Sequence, residues 1–344
     1  MHLRRLLAAS LCAAGAALAG AAGAQEVTLK VHHFLPPPST AHAKFMVPWC
    51  DKLAKESAGK LKCQLYAAMQ MGGTPPQLYD QAKDGVADIV WTLPGYTAGR
   101  FPIVEAFELP FMMTNAEATS RALWDYVQQN APAEFKDVKA LAFHVHGPGF
   151  VHTRDKQVKT LADFKGLKVR APTRLTNKLI AAMGATPVGM PVPQVPEALN
   201  KGVIDGAVIP WEVVPAIKVH ELVKFHAETD PKFPAFYTSV FIYAMNQAKY
   251  NSLPADLRKV LDANSGMELS AFIGKAFMEG DIPGRKAAEG RNNTFYTIPA
   301  SELENWRKAS QPIYDEWVKD MGAKGHDGRK LIESARALIA KYTK

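Results

Sequence analysis

Residues 161–174, which read LADFKGLKVRAPTR, contain the most informative local pattern of the chain. They predict a short helix, a turn at Gly166, where a positive φ costs least, and a short strand with alternating side chains. Pro172 prevents this strand from continuing into a central ladder. Arg170 therefore stands at the carboxyl end of a strand, just before a helical pattern that begins near Leu175.

Arg170 is the first candidate for a binding residue. In open α/β sheets, ligands bind beyond the carboxyl ends of the strands. A guanidinium group there presents a planar fork that holds a carboxylate by two parallel hydrogen bonds. On the pattern alone, a solvated arginine at a strand end is the alternative interpretation, and both stay open.

The first 24 residues have the composition of a targeting segment. Arg4 and Arg5 precede an apolar run rich in Ala, Leu and Gly, and Ala22-Gly23-Ala24 fits a small-x-small cleavage site. We predict a signal peptide cleaved after Ala24 and a periplasmic mature chain. An uncleaved membrane anchor is the alternative, which the Ala and Gly content disfavours. No later stretch has about twenty consecutive apolar residues, the length that a membrane span needs.

The charge pattern bears on the class of partner. The formal net charge is +8, and removal of residues 1–24 leaves 39 basic and 33 acidic residues, a net charge of +6. These charges are interspersed and form no basic block. We therefore expect no nucleic-acid partner, and a mild attraction of anionic solutes.

Two cysteines, Cys50 and Cys63, follow the predicted cleavage site. An oxidising compartment permits a disulfide between them, because the first lies in a helical pattern and the second points inward on the following strand. Two buried free thiols are the alternative. The chain has no C-x-x-C motif, so redox or zinc chemistry has no support.

Strand and helix patterns alternate along the chain. Residues 27–91 read β-α-β-α-β, and residues 150–208 repeat this order, which predicts two mostly parallel sheets flanked by helices. Gly147-Pro148-Gly149 breaks the pattern between them, so we place a crossover into a second lobe there. A long helix is predicted from Leu253 until Pro283 interrupts it.

Aromatic residues stand in the predicted exit loops of several strands. Phe34 and Trp91 follow strands of the first unit, and Trp211 follows a strand of the second. Each of these aromatic residues alone is more typical of a hydrophobic core. Together, beside the candidate anion site at Arg170, they indicate a binding pocket. His144 and His146 share a strand face, and we interpret them as a structural or solvent-facing pair rather than metal ligands. No nucleophile, phosphate-loop or dinucleotide motif is present, so no sequence feature supports an enzymatic function.

Several segments resemble the DctP-like solute-binding proteins of TRAP (tripartite ATP-independent periplasmic) transporters. They follow in the family's order and spacing, and the resemblance covers roughly residues 27–341. The segments are AFELPF (106–111), LADFKGLKVRAP (161–172), GATPVGMP (184–191), EALNKGVIDGAVIP (197–210) and NSLPAD (251–256).

This resemblance implies a two-lobed α/β periplasmic-binding-protein fold, type II-like, with a long bracing helix. The N-terminal lobe is expected to comprise 25–149 and 238–275, the C-terminal lobe 150–237 and 276–320, and a final helix 321–344. The resemblance also implies capture of a small organic acid, its delivery to the small and large membrane subunits, and no enzymatic activity. By the same resemblance, Arg170 pairs with the solute carboxylate.

Three departures from sugar-acid-binding members narrow the expected ligand. Phe150 stands where they have a second arginine, Ile209 where they have an asparagine, and Leu93 where they have an acidic residue. An apolar site would leave sugar hydroxyls unpaired, at about 1–3 kcal/mol each. Sialic and uronic acids are therefore disfavoured.

We accordingly expect a short or aromatic monocarboxylate, with or without a 2-oxo or 2-hydroxy group. Arg170 is expected to anchor it, Thr92 or Tyr237 to donate a hydrogen bond, and Arg174 to serve as a reserve anion contact unless it is solvated. No cofactor is expected, although a cation bridging the carboxylate through Glu212 is an open alternative. The predicted apolar lining is Phe34, Trp91, Phe150, Trp211 and Phe236.

The expected mechanism is closure of the two lobes on the ligand by a hinge at the crossover strands. One alternative is a sensor input that hands the same ligand to a membrane receptor. The other is a secreted enzyme on a two-lobed scaffold.

Overall fold

A computed structural model describes residues 26–343. The predicted signal peptide and its cleavage site therefore lie outside the described residues. The strands are β1 (Val27–His33), β2 (Leu61–Tyr66), β3 (Ile89–Thr92), β4 (Val138–Val145), β5 (Gly149–Thr153), β6 (Lys168–Ala171), β7 (Thr186–Gly189), β8 (Gly206–Pro210), β9 (Phe225–Thr229), β10 (Val240–Asn246) and β11 (Thr294–Ile298). The α-helices are α1 (Val47–Glu56), α2 (Leu78–Lys83), α3 (Ala116–Asn130), α4 (Leu161–Phe164), α5 (Arg174–Ala182), α6 (Val195–Asn200), α7 (Gln247–Ser252), α8 (Ala255–Ala263), α9 (Met267–Glu289), α10 (Ala300–Ala323) and α11 (Gly328–Tyr342).

The strands form two sheets, which define two lobes. Lobe I has the strand order β2-β1-β3-β10-β4, and lobe II has β11-β9-β5-β8-β6-β7. Both sheets are mixed: β1 pairs in parallel with β2 and β3, and β6 pairs in parallel with β7 and β8. The antiparallel pairs involve β10 in lobe I and β5 in lobe II, the strands next to the crossovers. This architecture is the two-lobed α/β fold expected from the sequence.

The segment around Arg170 folds as its sequence pattern predicts. Thr160 and Asp163 form a capping box at the start of α4, and Gly166 adopts a φ of 85° after that helix. The strand β6 follows, and α5 begins three residues after it ends. Val169 faces the core, and Arg170 faces the region between the lobes.

The predicted long helix is two helices, α8 and α9, because Asn264–Gly266 turns the chain between them with a φ of 88° at Gly266. Pro283 does not end α9, although a proline there removes one helical hydrogen bond. The helix α9 packs on α3 and β4 of lobe I and on the turn after β8 of lobe II. It therefore braces both lobes.

Gly280 and Gly284 allow α9 to approach lobe II closely. A Cβ at Gly284 would lie 2.0 Å from the Trp211 carbonyl oxygen, and one at Gly280 would lie 3.1 Å from the Glu212 Cβ. Two glycines four residues apart share one helix face. This face of α9 accommodates the backbone of the turn after β8.

A disulfide joins Cys50 of α1 to Cys63 of β2, with their Cα atoms 5.7 Å apart. The turn Ala41–Met46 before α1 is π-helical, and Pro48 lies in the first turn of α1. None of the helices in residues 26–343 combines the length and the apolar character that crossing a bilayer requires.

Candidate functional site

A cavity lies between the two lobes at the crossover segments. Its empty volume is about 360 Å³. Lobe I contributes Phe34, Leu35, Trp91, Leu93, Tyr96 and Phe241; the crossovers contribute His146, Tyr237 and Ser239; and lobe II contributes Arg170, Pro172, Val192, Ile209, Pro210, Glu212 and Val213.

Arg170 is the cationic group of this cavity. Its side chain is 2% exposed, Nε donates to the Met190 carbonyl at 2.9 Å, and one terminal nitrogen donates to the Val208 carbonyl at 3.2 Å. Burial lowers its pKa, and the groups that oppose this shift are Tyr96 and Tyr237 rather than a carboxylate. In residues 26–343, Arg170 thus has no acidic partner. A buried cation without a counter-ion is strongly destabilising, so the site favours an anionic ligand.

Tyr96 and Tyr237 flank the guanidinium. The Tyr96 hydroxyl accepts a hydrogen bond from the Val192 backbone N–H at 3.1 Å and lies within reach of Arg170. Burial raises the pKa of both phenols, which keeps them protonated. Because the Tyr96 oxygen already accepts, its own proton is available to an acceptor in the cavity.

Stacked rings form the lobe I wall. The Trp91 ring lies 4.8 Å from the ring of Phe34 on one side and 4.8 Å from that of Phe241 on the other, centroid to centroid. His144 stacks on Phe241 behind the wall and accepts a hydrogen bond from the Trp91 indole N–H at 2.8 Å. Burial lowers the pKa of His144 to about 3, so the ring is neutral and free to accept. This network fixes the plane of Trp91.

His146 lines the cavity, whereas its strand neighbour His144 lies behind the wall. The Nδ1 atom of His146 forms a hydrogen bond with the Gly147 carbonyl, and the Thr238 hydroxyl donates to the His146 carbonyl at 3.0 Å. Burial lowers the pKa of His146 to about 4, with a further contribution from the Arg170 charge. It is therefore a neutral group close to the cationic end.

Four predicted lining residues do not line the cavity. The Thr92 hydroxyl donates to the Pro75 carbonyl at 3.3 Å, because Thr92 points opposite to Trp91 and Leu93 along the extended chain. Phe236 packs against the rings of Phe111 and Trp306.

The other two residues, Phe150 and Trp211, contact each other within lobe II. Their ring centroids are 6.3 Å apart, and the Trp211 ring packs against His152 and His226. The Trp211 indole N–H donates to Glu228 at 2.9 Å, which fixes the ring inside lobe II.

Arg174 forms an ion pair across the lobes instead of facing the cavity. Its guanidinium donates two hydrogen bonds to the Glu105 carboxylate, at 2.6 and 2.5 Å, and a third to Asp320 at 3.0 Å. The hydrogen bond to Glu105 is the main reason that the pKa of Arg174 is raised. Arg174 therefore has its anion already, supplied by lobe I.

Glu212 lines the cavity at the lobe II side. Its pKa is raised well above the usual range, first by burial and then by the nearby Asp281 carboxylate, while a hydrogen bond from Thr40 opposes the rise. A protonated carboxyl is a poor cation ligand. In residues 26–343, no group of three or more His, Cys, Asp or Glu side chains has the arrangement of a metal site.

Sequence reasoning missed Tyr96, Ser239 and Phe241. Tyr96 is an aromatic residue in the exit loop of β3, a signal equal to that of Phe34, which was recognised. Ser239 lies on the second crossover, between β9 and β10, and Phe241 lies at the start of β10; no local pattern there distinguishes cavity from core. By contrast, Leu93 and Ile209, two apolar departures noted in the sequence, both line the cavity.

Comparison with known proteins gives concordant results. Residues 31–320 match the family described as bacterial extracellular solute-binding protein, family 7 (DctP). A curated relative, the outer membrane transporter protein TsaT of Comamonas testosteroni, is 26% identical over 98% of each chain.

Two solved structures are more similar. A TRAP solute-binding protein from Rhodoferax ferrireducens T118, in complex with copurified benzoate, is 56% identical, with a TM-score of 0.91 over 92% of this chain and 98% of that one. A TRAP solute-binding protein specific for aromatic acid ligands, from an unidentified microbe of a marine metagenome, was co-crystallised with 3-hydroxybenzoate. It is 47% identical, with a TM-score of 0.91 over 93% of this chain and 100% of that one. The chain therefore belongs to the DctP family of bacterial extracellular solute-binding proteins.

Proposed function

We propose that this protein is the solute-binding subunit of a TRAP transporter and that its solute is an aromatic monocarboxylate of the benzoate type. The observation that carries this proposal is Arg170, a buried guanidinium without a carboxylate partner, in a cavity walled by stacked rings.

A carboxylate satisfies the polar end of the cavity. The charge of Arg170 requires an anion, and the planar fork suits the two oxygens of one carboxylate. Tyr96 offers a free proton, and Ser239 offers a buried hydroxyl whose oxygen has no partner. A carboxylate accepts all of these hydrogen bonds.

The remainder of the cavity favours an aromatic ring. Phe34, Trp91 and Phe241 supply flat apolar surfaces, and Leu93 and Ile209 supply no hydrogen bond. Sugar acids would leave their hydroxyls unpaired there, and a dicarboxylate would lack a second cation. Both similar solved structures hold an aromatic acid, which supports the same class of solute.

Delivery of the solute to the small and large membrane subunits, and export to the periplasm, are part of the proposal. The family supports both roles, since its members are extracellular solute-binding proteins. Closure of the lobes would complete the site, because Arg170 lies on lobe II and the aromatic wall lies on lobe I. We propose binding without catalysis.

Isothermal titration of the mature chain, residues 25–344, tests the proposal. The panel is benzoate, phenylacetate, pyruvate, lactate, succinate and glucuronate. We expect benzoate or phenylacetate to bind at least about tenfold more tightly than every non-aromatic acid. Preferred binding of pyruvate or lactate would agree with Arg170 as the carboxylate anchor and would contradict an aromatic solute. Preferred binding of glucuronate or succinate would contradict the proposal that the cavity selects a monocarboxylate with an apolar ring.

A further inference from the structure

The Glu212 carboxyl is a buried polar group of the cavity that the proposed function does not use. Its side chain is 6% exposed, and Oε2 has no hydrogen-bond partner in residues 26–343. Buried polar atoms in folded proteins nearly always have partners. Glu212 lines the cavity, so a ligand atom or a water there can complete this unpaired oxygen.

Glu212 lies at the end of the cavity away from Arg170. The Arg170 guanidinium donates to the Val208 carbonyl, and β8 ends two residues further along, at Pro210. Glu212 follows two residues later, in the turn that packs on α9. The Tyr237 hydroxyl is within electrostatic reach of both groups, since Arg170 and Glu212 each affect its pKa.

The surroundings of Glu212 define the chemistry that it accepts. Asp281 occupies the neighbouring position on α9 and accepts a hydrogen bond from the Glu212 backbone N–H at 2.9 Å. No described Lys, Arg or His forms an ion pair with Glu212, and burial together with the Asp281 charge raises its pKa, which favours the protonated carboxyl. A neutral carboxyl both donates and accepts a hydrogen bond. A hydroxyl group has the same two capacities, whereas an apolar ring edge has neither.

We propose that Glu212 recognises a ring hydroxyl, so that the preferred solute is a hydroxybenzoate-type acid with its carboxylate on Arg170. This inference rests on the proposed function and deepens it. The cavity then discriminates along its length: the cationic end selects the carboxylate, and the neutral carboxyl selects a substituent at the opposite part of the ring. Unsubstituted benzoate would fill the apolar part and leave Glu212 unpaired.

The test is isothermal titration of benzoate, 3-hydroxybenzoate and 4-hydroxybenzoate against the mature chain. The readout is the ratio of the Kd for benzoate to the Kd for the better hydroxybenzoate. We expect a ratio of about ten or more for the unaltered protein, the value of one net hydrogen bond. Glu212→Gln, which retains a donor and an acceptor, should keep that preference, and Glu212→Leu should reduce the ratio to about one. Glu333→Leu, an exposed change on α11, is the matched control.

The possible outcomes distinguish the role of Glu212 from the proposed function. A ratio near one for the unaltered protein, or an undiminished ratio for Glu212→Leu, overturns the inference and leaves the aromatic monocarboxylate proposal intact. An equal loss in Glu212→Gln and Glu212→Leu assigns a charged carboxylate or a bridging cation instead, and also overturns it. Absence of binding by all three acids overturns the proposed function itself. The comparison on the unaltered protein stands even where a variant fails to fold.

Discussion

The Tyr96 hydroxyl accepts a hydrogen bond from the Val192 backbone N–H at 3.1 Å, and this bond joins lobe I to lobe II beside the buried guanidinium of Arg170. One side chain thus contacts the partner lobe and the proposed anchor together. The contact can exist only when the lobes lie close, so it ties closure to the geometry of the binding site.

Replacement of Tyr96 tests this link. Tyr96→Phe removes the cross-lobe hydrogen bond and the free proton while it retains the ring. We expect the affinity for the preferred aromatic acid to fall by about tenfold, the worth of a hydrogen bond to a charged group. Titration calorimetry measures the change, with Tyr66→Phe on β2 as control. An unchanged Kd would mean that Tyr96 takes no part in binding.

Arg170 variants test the anchor. Arg170→Ala should weaken binding by about 2–5 kcal/mol, which is at least about thirtyfold, because the ligand carboxylate would be buried without a partner. Arg170→Lys should fall between Arg170→Ala and the unaltered protein, since lysine keeps the charge and loses the planar fork. Arg329→Ala, an exposed change on α11, controls for charge alone. Retained affinity in Arg170→Ala would refute the anchor assignment.

The Arg174–Glu105 ion pair should act through closure rather than through ligand contact. Glu105 is buried and Arg174 is partly exposed, so its loss should cost about 1–2 kcal/mol. Arg174→Ala and Glu105→Gln should therefore weaken binding equally, by about tenfold. Titration of both variants with one ligand is the measurement. An effect confined to Arg174→Ala would restore Arg174 as a direct anion contact.

Buried neutral histidines should make stability depend on pH. The pKa of His144 is about 3 in the folded protein and about 6.5 when unfolded, so the unfolded state binds more protons between these values. Stability is thus lost as pH falls below about 6.5. His144→Gln keeps an acceptor for the Trp91 N–H and does not titrate. The free energy of unfolding of this variant should therefore vary less with pH than that of the unaltered protein, by up to about 1.4 kcal/mol per pH unit in this range.

Urea unfolding between pH 4 and 7 measures that slope. The exposed His326 provides the control, since His326→Gln should leave the slope unchanged. Equal slopes for His144→Gln and the unaltered protein would show that the pKa of His144 is not lowered in the folded protein. Other histidines with lowered pKa values contribute in the same direction: His33, His146, His152 and His226.

The disulfide should stabilise lobe I. Cys50 and Cys63 are 13 residues apart, and closing a loop of this size stabilises by about 3 kcal/mol. The double variant Cys50→Ser, Cys63→Ser should lose about that much, measured by denaturant unfolding. Reductant should lower the stability of the unaltered protein by the same amount and leave the double variant unaffected. Insensitivity of the unaltered protein to reductant would contradict the prediction.

The places of Arg170 and of part of the aromatic wall could be predicted from sequence because local signals mark strand ends. Arg170 and Pro172 define one strand end, and Trp91 stands at another. The same signals do not say which of two adjacent side chains points into a cleft. The sequence predicts both members of two adjacent pairs as binding residues, Trp91 with Thr92 and Phe236 with Tyr237. Because side chains alternate along an extended chain, only one member of each pair lines the cavity.

Long-range pairing explains the remaining differences. Arg174 was an open candidate because its partner, Glu105, lies 69 residues earlier and on the other lobe. Trp211 lies near a strand end as Trp91 does, yet its hydrogen bond to Glu228 holds it inside lobe II. Such partners are set by the packing of whole lobes, which no local pattern contains.

The position of β10 has a consequence for how the chain matures. This strand lies between β3 and β4 in space, but the chain supplies it after five strands of the other lobe. A polypeptide that emerges N-terminus first therefore cannot complete its first sheet until residue 246 has appeared. Non-local pairing of this kind folds slowly. Until then, β3 and β4 each lack the strand that pairs with them in the finished sheet.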